Sequence, residues 1–534
     1  MKIRFVNCIL AVFSVFALGS SVFAQVNQVS ANVIPVGDFE NHQDIGNPSL
    51  KGTTSYDPGS QTYSIKAAGY NVWFNRDELQ YAWKKIGGDF IATANFKITS
   101  VGGDPHKKTG WMLRESLDEA AAAYSGVVHA DGLTVLQWRP LRGAYMRDPE
   151  DEIFFPKKST YQTIQLERSG NRLTMRVANY GEPLQEVGSK EMQSIKDSVF
   201  LGIFLSAHNP DKIEEAKVWN LRIDKPVKNQ YDPNPQSANQ IPNTSFGSRM
   251  EILNVFTGDR KVIHTSPEIF EAPNWMPDGK KLLYNYKGSL YTIPVNGGKP
   301  EKINTGSANR NNNDHGISFD GKMLAISHQR EGLPGWGSTV YVLPITGGEP
   351  KLITEKTPSY WHGWTPDGKA ILHVGQRDGN NAFNLYKVTV DTKIETALTN
   401  NTSGHVDGPE YSPDGKYIYY NANPTGTMQI WRMKPDGSSK EQLTFDERHA
   451  WFPHISPDGK WIVYISFPKE IHPDSHPANQ RVTLHLMPVS GGAPRVIAYL
   501  YGGQGTINVN SWSPDSKHLA FVSNSEPTPQ KSKE

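Results

Sequence analysis

One phrase recurs through the second half of this chain: a polar lead-in, then Trp or Ser, then Pro-Asp-Gly-Lys, then an alternating apolar run. It stands at Asn274–Lys280 (NWMPDGK), His362–Lys369 (HGWTPDGK), Glu410–Lys416 (EYSPDGK) and His454–Lys460 (HISPDGK). Two weaker copies are His315–Lys322 (HGISFDGK) and Asn510–Lys517 (NSWSPDSK). The turn position therefore falls at residues 277, 319, 366, 413, 457 and 514, a spacing near that of four-stranded propeller blades. Each phrase reads as an innermost strand, a tight turn and a second strand. Proline pre-sets the first turn dihedral, Asp bonds the backbone, and Gly tolerates the left-handed position. A third strand such as Leu290–Val295 follows, then a second turn (Asn296–Gly298, Thr346–Gly348, Ser490–Gly492) and an outermost strand.

The ends of the array decide its closure. Residues 249–263 match the second half of a blade with no first half before them. The last repeat, ending near Ser523, is a first half with no second. Joined, they complete a sixth blade and hide two open sheet edges. On these repeats the chain resembles the TolB-type six-bladed propeller over roughly residues 249–523.

Upstream the turn phrase is absent. Short alternating runs, among them Phe90–Ile98, Thr134–Trp138, Thr163–Arg168, Leu173–Val177 and Phe200–Leu205, are broken by Gly, Asn and Asp. That pattern predicts an antiparallel sandwich. The segments Trp83–Phe90, Gly110–Ser116, Gln165–Arg168 and Ala207–Asn209 resemble those of concanavalin-type jelly rolls found beside sugar-active modules. Trp73, Trp111, Trp138, Arg114, Arg139 and His129 are then candidates to line a concave sugar-binding sheet. The alternative is that these rings fill the sandwich core.

The fold class expected is all-β: an N-terminal jelly-roll sandwich over 33–225, a polar, Pro-bearing linker over 226–247, a six-bladed propeller over 248–524 and a tail over 525–534. Residues 1–24, with Lys2 and Arg4 before an apolar run and Val22-Phe23-Ala24 at its exit, read as a cleavable secretory signal. No later stretch is long and apolar enough for a membrane helix. The expected destination is the periplasm, with secretion the alternative. The single cysteine, Cys8, lies in that signal, so the exported chain carries no thiol nucleophile and no disulfide. Losing Lys2 and Arg4 takes the formal charge from +1 to −1, which gives no electrostatic case for nucleic acid.

Strand direction puts the lead-ins on one irregular propeller face, around the central channel. They carry Asp314, His315, His362, His405, Asp407, Glu410, His449, His454, Asn508 and Asn510, and loops beside them add Arg330, Trp336, Arg377, His472 and His476. Histidine and carboxylate gathered from several blades suit a divalent metal (Mn, Zn or Ca) or acid–base chemistry. Counting back from the turn position, His315, His362 and Asn510 sit four residues before it and Asp407 six, so they share strand parity. His454 sits three before and points the other way. His315, His362 and Asp407 are the metal candidates; His315 and His362, with Arg330 and Arg377, are the catalytic ones. Asp314, His405, Glu410, His454, Asn510 and Trp336 are expected to contact a ligand. The His472–His476 pair, in a Pro-rich loop, reads as solvated surface.

Histidines at a propeller mouth also make the chain similar to oligogalacturonate lyase, a manganese enzyme on a seven-bladed propeller. That resemblance implies a His taking the proton beside a uronate carboxylate, with Arg330 or Arg377 pairing the carboxylate. Other chemistries lack their motifs: there is no Gly-x-Ser-x-Gly elbow and no Gly-rich phosphate loop. Three functions stay open. The leading one is binding of an oligo- or polysaccharide at the propeller face; the others are a metal-dependent polysaccharide lyase or hydrolase, and an envelope scaffold clamping a partner protein.

Overall fold

The computed structural model describes residues 35–146, 154–155, 160–193, 195–226 and 247–525. The expected signal (1–24), nearly all of the linker (226–247) and the tail beyond Ser525 lie outside the described residues. What is described is all-β: two seven-stranded sheets, then six small antiparallel sheets.

The sandwich forms where apolar residues alternate. Phe90–Ile98 and Thr62–Gly69 bury every second side chain along much of their length, because successive Cβ atoms point to opposite faces. One sheet runs in the order Asn41–Ile45, Leu79–Ile86, Val199–Ser206, Lys108–Arg114, Ala123–His129, Thr134–Arg139, Phe154–Phe155. The other runs Gln185–Glu191, Arg172–Ala178, Thr163–Ser169, Phe90–Ile98, Asn209–Asp224, Thr62–Gly69, Thr53–Asp57. Between them Phe90, Phe96, Trp111, Trp138, Ile164, Leu166 and Leu173 form the core.

This settles the fate of the aromatic candidates. Trp111 and Trp138 fill the core rather than an open sugar-binding sheet. Arg114 and Arg139 are buried on the far side of the first sheet, both paired to Asp77. Burial pushes the pKa of His129 down to about 3, and its Nδ1 lies 2.9 Å from the Leu133 carbonyl. Trp73 packs with Val72 and Met146 over Leu79, Tyr81, Met112 and Val135. The sheet face expected to be concave and open is thus covered by the chain's own loops.

In the propeller, five blades have four antiparallel strands in chain order, from inner to outer. The sixth closes as expected: Gly247–Asn254 pairs with His518–Ser525 on one side and Arg260–Ser266 on the other. Its inner edge is reached by Trp512, which bridges Leu519. The repeated turn explains itself. In the fourth copy Ser412 donates to Asp414 (2.7 Å), Asp414 accepts the Lys416 N–H (3.1 Å), and Gly415 takes φ 71°. Ser456–Asp458 and Thr365–Asp367 repeat this bond in their blades.

The sandwich docks on the rim of the closing blade. Gln61 exchanges two bonds with the Val262 backbone (2.8 and 3.0 Å), Tyr180 donates to the Val255 carbonyl (2.6 Å), and Arg481 pairs with Glu167. Arg222 of the sandwich reaches the fully buried Glu251 of the propeller at 2.7 Å. Among the described residues no helix is long and apolar enough to cross a membrane.

Candidate functional site

Every complete inner strand is irregular at the same station. Pairing to the second strand slips between Glu271 and Asn274, Asn311 and His315, Trp361 and Gly363, Asp407 and Glu410, and Trp451 and His454. Such a bulge kinks the strand and re-aims the side chains before it. Ala272, Gly408 and Phe452, each the residue after the slip begins, take φ of 56°, 56° and 52°. At Gly408 a Cβ would stand 2.9 Å from Asn421 Oδ1 and 3.1 Å from the Phe452 ring, so glycine is required there. Backbone N–H groups at this station bond to neighbouring blades instead: Phe452 to Asn421 Oδ1 (3.0 Å), Trp361 to Ser327 Oγ (2.8 Å), Ala272 to the Gly505 carbonyl (2.8 Å).

The bulges turn a group of side chains toward the channel mouth, with Asp407 at its centre. His362 Nε2 lies 2.8 Å from Asp407 Oδ1, and His405 and His476 approach Oδ2 at 3.4 and 3.7 Å. The Gly408 N–H also donates to Asp407 (2.8 Å). Burial by itself raises the Asp407 pKa, yet His362, His405 and His476 together hold it well below the usual carboxylate range. Burial likewise lowers His362, and Asp407, Asp314 and Glu410 more than reverse this, so the imidazole is raised.

Two more carboxylates share the recess. Burial and the neighbouring Asp407 charge push Asp314 up to about 6, against the pull of His362. Burial and Asp314 push Glu271 up to about 7. Tyr360 is pushed up to about 12 by burial and by Asp314 and Asp407. Around them runs an arc of rings. Phe383 and His405 are 4.8 Å apart, His405 and Trp451 5.4 Å, Trp451 and His476 4.3 Å, His476 and Phe452 5.1 Å, and Phe452 and His362 6.1 Å.

The structure therefore brings together His362, Asp407, His405 and Asp314 of the residues expected here, and separates the others. His315 is fully buried beside the Ala272 backbone, where burial pushes its pKa down to about 3. Parity counting failed because the pairing from His315 to its turn is regular, whereas His362 lies inside the bulge of its strand and Asp407 before the bulge of its own. Glu410, His454 and Asn510 bind one another across three blades. Glu410 lies 2.8 Å from His454 Nδ1 and accepts from Asn510 (2.6 Å) and the Ile455 N–H (3.0 Å), while His454 Nε2 meets the Ile507 carbonyl at 2.6 Å. They hold the ring together and are committed before any ligand arrives.

Arg377 is likewise committed. Its Nε and Nη2 donate to Glu395 (2.9 Å each), and its remaining N–H groups go to Pro358 O, Gln376 O and Ser359 Oγ. All five guanidinium donors are used, so it has none for a substrate carboxylate. Arg330 and Trp336 stand on the loop after the second strand of their blade, where the Arg330 N–H bonds the Gly337 carbonyl (3.0 Å). Trp336 is 61 % exposed; among the described residues neither side chain contacts the Asp407 group.

A metal does not fit this arrangement. Among the described residues no three His, Cys, Asp or Glu side chains converge as an ion's ligands. His362 and Asp407, two of the three candidates, are spent on each other, and His315 is elsewhere. The aromatic residues Tyr360, Phe383, Trp451 and Phe452 carried no signal that pointed to the site, and two of its His and carboxylate residues were not singled out for it either. His476 sits in the Pro-rich loop read as surface, yet its ring packs edge-on to Trp451. Glu271 lies in the first lead-in, which has no histidine to draw attention to it.

Residues 337–485 match the family profile described as the TolB beta propeller domain. The uncharacterized protein Atu1656 of Agrobacterium fabrum is 47 % identical over 283 residues, 53 % of this chain and 94 % of that one. A solved structure assigned to TolB, from Agrobacterium tumefaciens, is 46 % identical and covers 53 % of this chain and all of its own, with a TM-score of 0.50. The Tol-Pal system protein TolB of Anaeromyxobacter dehalogenans is 29 % identical over 100 residues, 19 % of this chain and only 22 % of its own length. Oligogalacturonate lyase in complex with manganese is 13 % identical over 47 % of this chain and 67 % of its own, with a TM-score of 0.32, too distant to bear on activity.

Proposed function

The chain belongs to the TolB-related β-propeller family, and from that premise we propose that it is an exported protein that binds a saccharide at the propeller mouth. The observation that carries this reading is the Asp407 recess. Phe383, His405 and His476, the half-buried rings of the arc, offer surface to the C–H side of a sugar above the buried Trp451 and Phe452, and Asp314 and Glu271 with the His405 and His476 imidazoles offer hydrogen-bond partners to its hydroxyls. The arrangement is preorganised, since bulges, inter-blade bonds and the Glu410–His454–Asn510 clasp fix it before a ligand enters. Lys2, Arg4 and the apolar run behind them suit export to the periplasm.

The test is calorimetric titration of the full chain with neutral, amino and uronic oligosaccharides. At least one should bind, with affinity falling tenfold or more in Asp314→Asn and in His476→Ala. No binding across the three classes, or binding indifferent to both substitutions, would sink the proposal. Capture of a defined envelope protein at the same residues, with no saccharide bound, would favour scaffolding in its place.

A second reading, turnover of the bound saccharide, rests on one observation. Glu271 and Asp314, pushed up to about 7 and about 6, are poised to hold and release a proton near neutral pH. It expects release of shortened products from the bound oligosaccharide, abolished in Glu271→Gln, with binding retained.

A further inference from the structure

The loops that cover the sandwich's first sheet do more than close it. Val72 and Trp73 turn inward and pack on that sheet, whereas their neighbours turn out. Tyr70, Phe74 and Tyr145 are 52 %, 38 % and 64 % exposed. Their rings touch in series: Tyr70 and Phe74 stack at 5.9 Å with 19° between planes, and Phe74 meets Tyr145 edge-on at 6.2 Å. Leu141, 57 % exposed, stands on the same loop as Tyr145. Single exposed aromatics are ordinary; a contiguous set marks a contact surface.

This set is also held still. Arg139, buried under the loops, spends all five donors there. Its Nη1 and Nη2 bind Asp77 (2.6 Å each), and its other N–H groups go to the carbonyls of Phe74 (2.8 Å), Ala144 (3.0 Å) and Ala121 (3.2 Å). Phe74 and Ala144, the residue before Tyr145, are thus tied to one guanidinium. Arg114 fixes Asp77 from the other side (2.5 Å), and the Met146 N–H donates to the Trp73 carbonyl (2.8 Å). A buried ion triad beneath exposed rings keeps the ring positions set, so little conformational entropy is lost on binding.

We propose that Tyr70, Phe74 and Tyr145 form a stacking platform for a neutral polysaccharide strand, a second site separate from the propeller mouth. Charge selects the class. The ionic groups at the rim are paired, Arg76 with Glu78 at 3.0 Å and Arg142 with Asp118 at 2.8 Å. With both rim arginines paired and the triad's arginines buried, no patch of unpaired basic side chains stands beside the rings among the described residues to attract an anionic polymer or a lipid headgroup. Flat rings flanked by paired polar groups complement the alternating C–H and hydroxyl surface of a sugar chain. Arg139 is a positioning residue here, acting through the loops it holds.

The experiment is affinity electrophoresis of the full chain through native gels containing hydroxyethylcellulose, mixed-linkage β-glucan, arabinoxylan or pullulan. At least one polymer should retard the protein. Retardation should weaken tenfold or more in the triple variant Tyr70→Ala, Phe74→Ala, Tyr145→Ala, and persist in Asp314→Asn. Phe74→Leu, which keeps the apolar contact and removes the ring, should weaken it about as much as Phe74→Ala; unchanged melting temperatures separate this from misfolding. Failure of all four polymers, retardation unaffected in the triple variant, or retardation lost in Asp314→Asn alone would overturn the platform. So would ring-dependent binding to phosphatidylcholine vesicles with none to the polymers. Absence of saccharide binding at the mouth of the parent protein, with ring-dependent retardation retained, would sink the reading of the mouth and leave the platform standing.

Discussion

Replacing Glu251 by alanine should lower the melting temperature of the full chain by roughly 5 °C at pH 7, the largest effect expected of any single substitution here. Glu251 is fully buried and accepts from Arg222 (2.7 and 3.0 Å), Arg260 (2.8 and 3.2 Å) and Ser523 (2.6 Å). Those partners come from the sandwich, the rim strand of the closing blade and the strand that completes the ring. Removing the carboxylate strands two guanidiniums in the interior, a change that costs about 3–5 kcal/mol, and an unfolding entropy of about 2.1 cal/mol/K per residue makes each kcal/mol worth about 1–2 °C at this length. Glu251→Gln, which keeps one acceptor, should fall between. Differential scanning calorimetry decides it, and a shift under about 2 °C would mean that the ring closes without this junction.

The acid side of the same argument has a fixed sign. Burial alone would raise Glu251 above its ordinary 4.5, but Arg222, Arg260 and Arg249 hold it far below. A depressed carboxylate lends stability that is present above its unfolded pKa and lost as pH falls through the folded one. The junction therefore persists at pH 5, and Glu251→Ala should remain less stable than the parent there.

Asp407→Asn should lower the pKa of His362, followed by NMR titration of labelled histidines. His362 stands above its ordinary 6.5 because Asp407, at 2.8 Å, and more weakly Asp314 and Glu410 outweigh burial. Without the Asp407 charge, burial is opposed only by the weaker pair and the imidazole becomes neutral near pH 7. The His362 contribution to stability is fully present below pH 6.5 and lost as pH rises through its raised value. The Asp407 contribution is present above 3.8 and lost as pH falls through its depressed value. Between these limits the pair stays ionised, and any pH dependence of ligand binding at the mouth should come from Asp314, near 6, and Glu271, near 7. An unchanged His362 titration in the variant would show that the pair does not set the charge of the recess.

The turns that build the propeller are chemically local. Ser412, Asp414 and Gly415 close their own hairpin with bonds spanning two to five residues, so the repeat announces blade number and closure without any knowledge of the fold. Alternation in Phe90–Ile98 and its partners is equally local, and it gave the sandwich. Site residues were legible only as a crowd. His362, Asp407, His405 and Asp314 could be placed near the channel because lead-ins precede inner strands.

Which of the crowd meet was decided in three dimensions. The bulges at the mouth depend on how each inner strand pairs with its second strand and on acceptors such as Asn421 and Ser327 in neighbouring blades, so a count along the strands gives His315 and His362 one direction although only His362 lies inside a bulge. His476 reaches Asp407 from another blade's loop, which carries no periodicity. The polar residues of the sandwich tell the same story: Arg114 and Arg139 look like ligand-binding arginines until both are found paired to Asp77 beneath a loop. Local turn chemistry and alternation fixed the elements, because they act over a few residues. Burial and charge pairing act between segments distant along the chain, and only the assembled fold says which groups are left facing solvent.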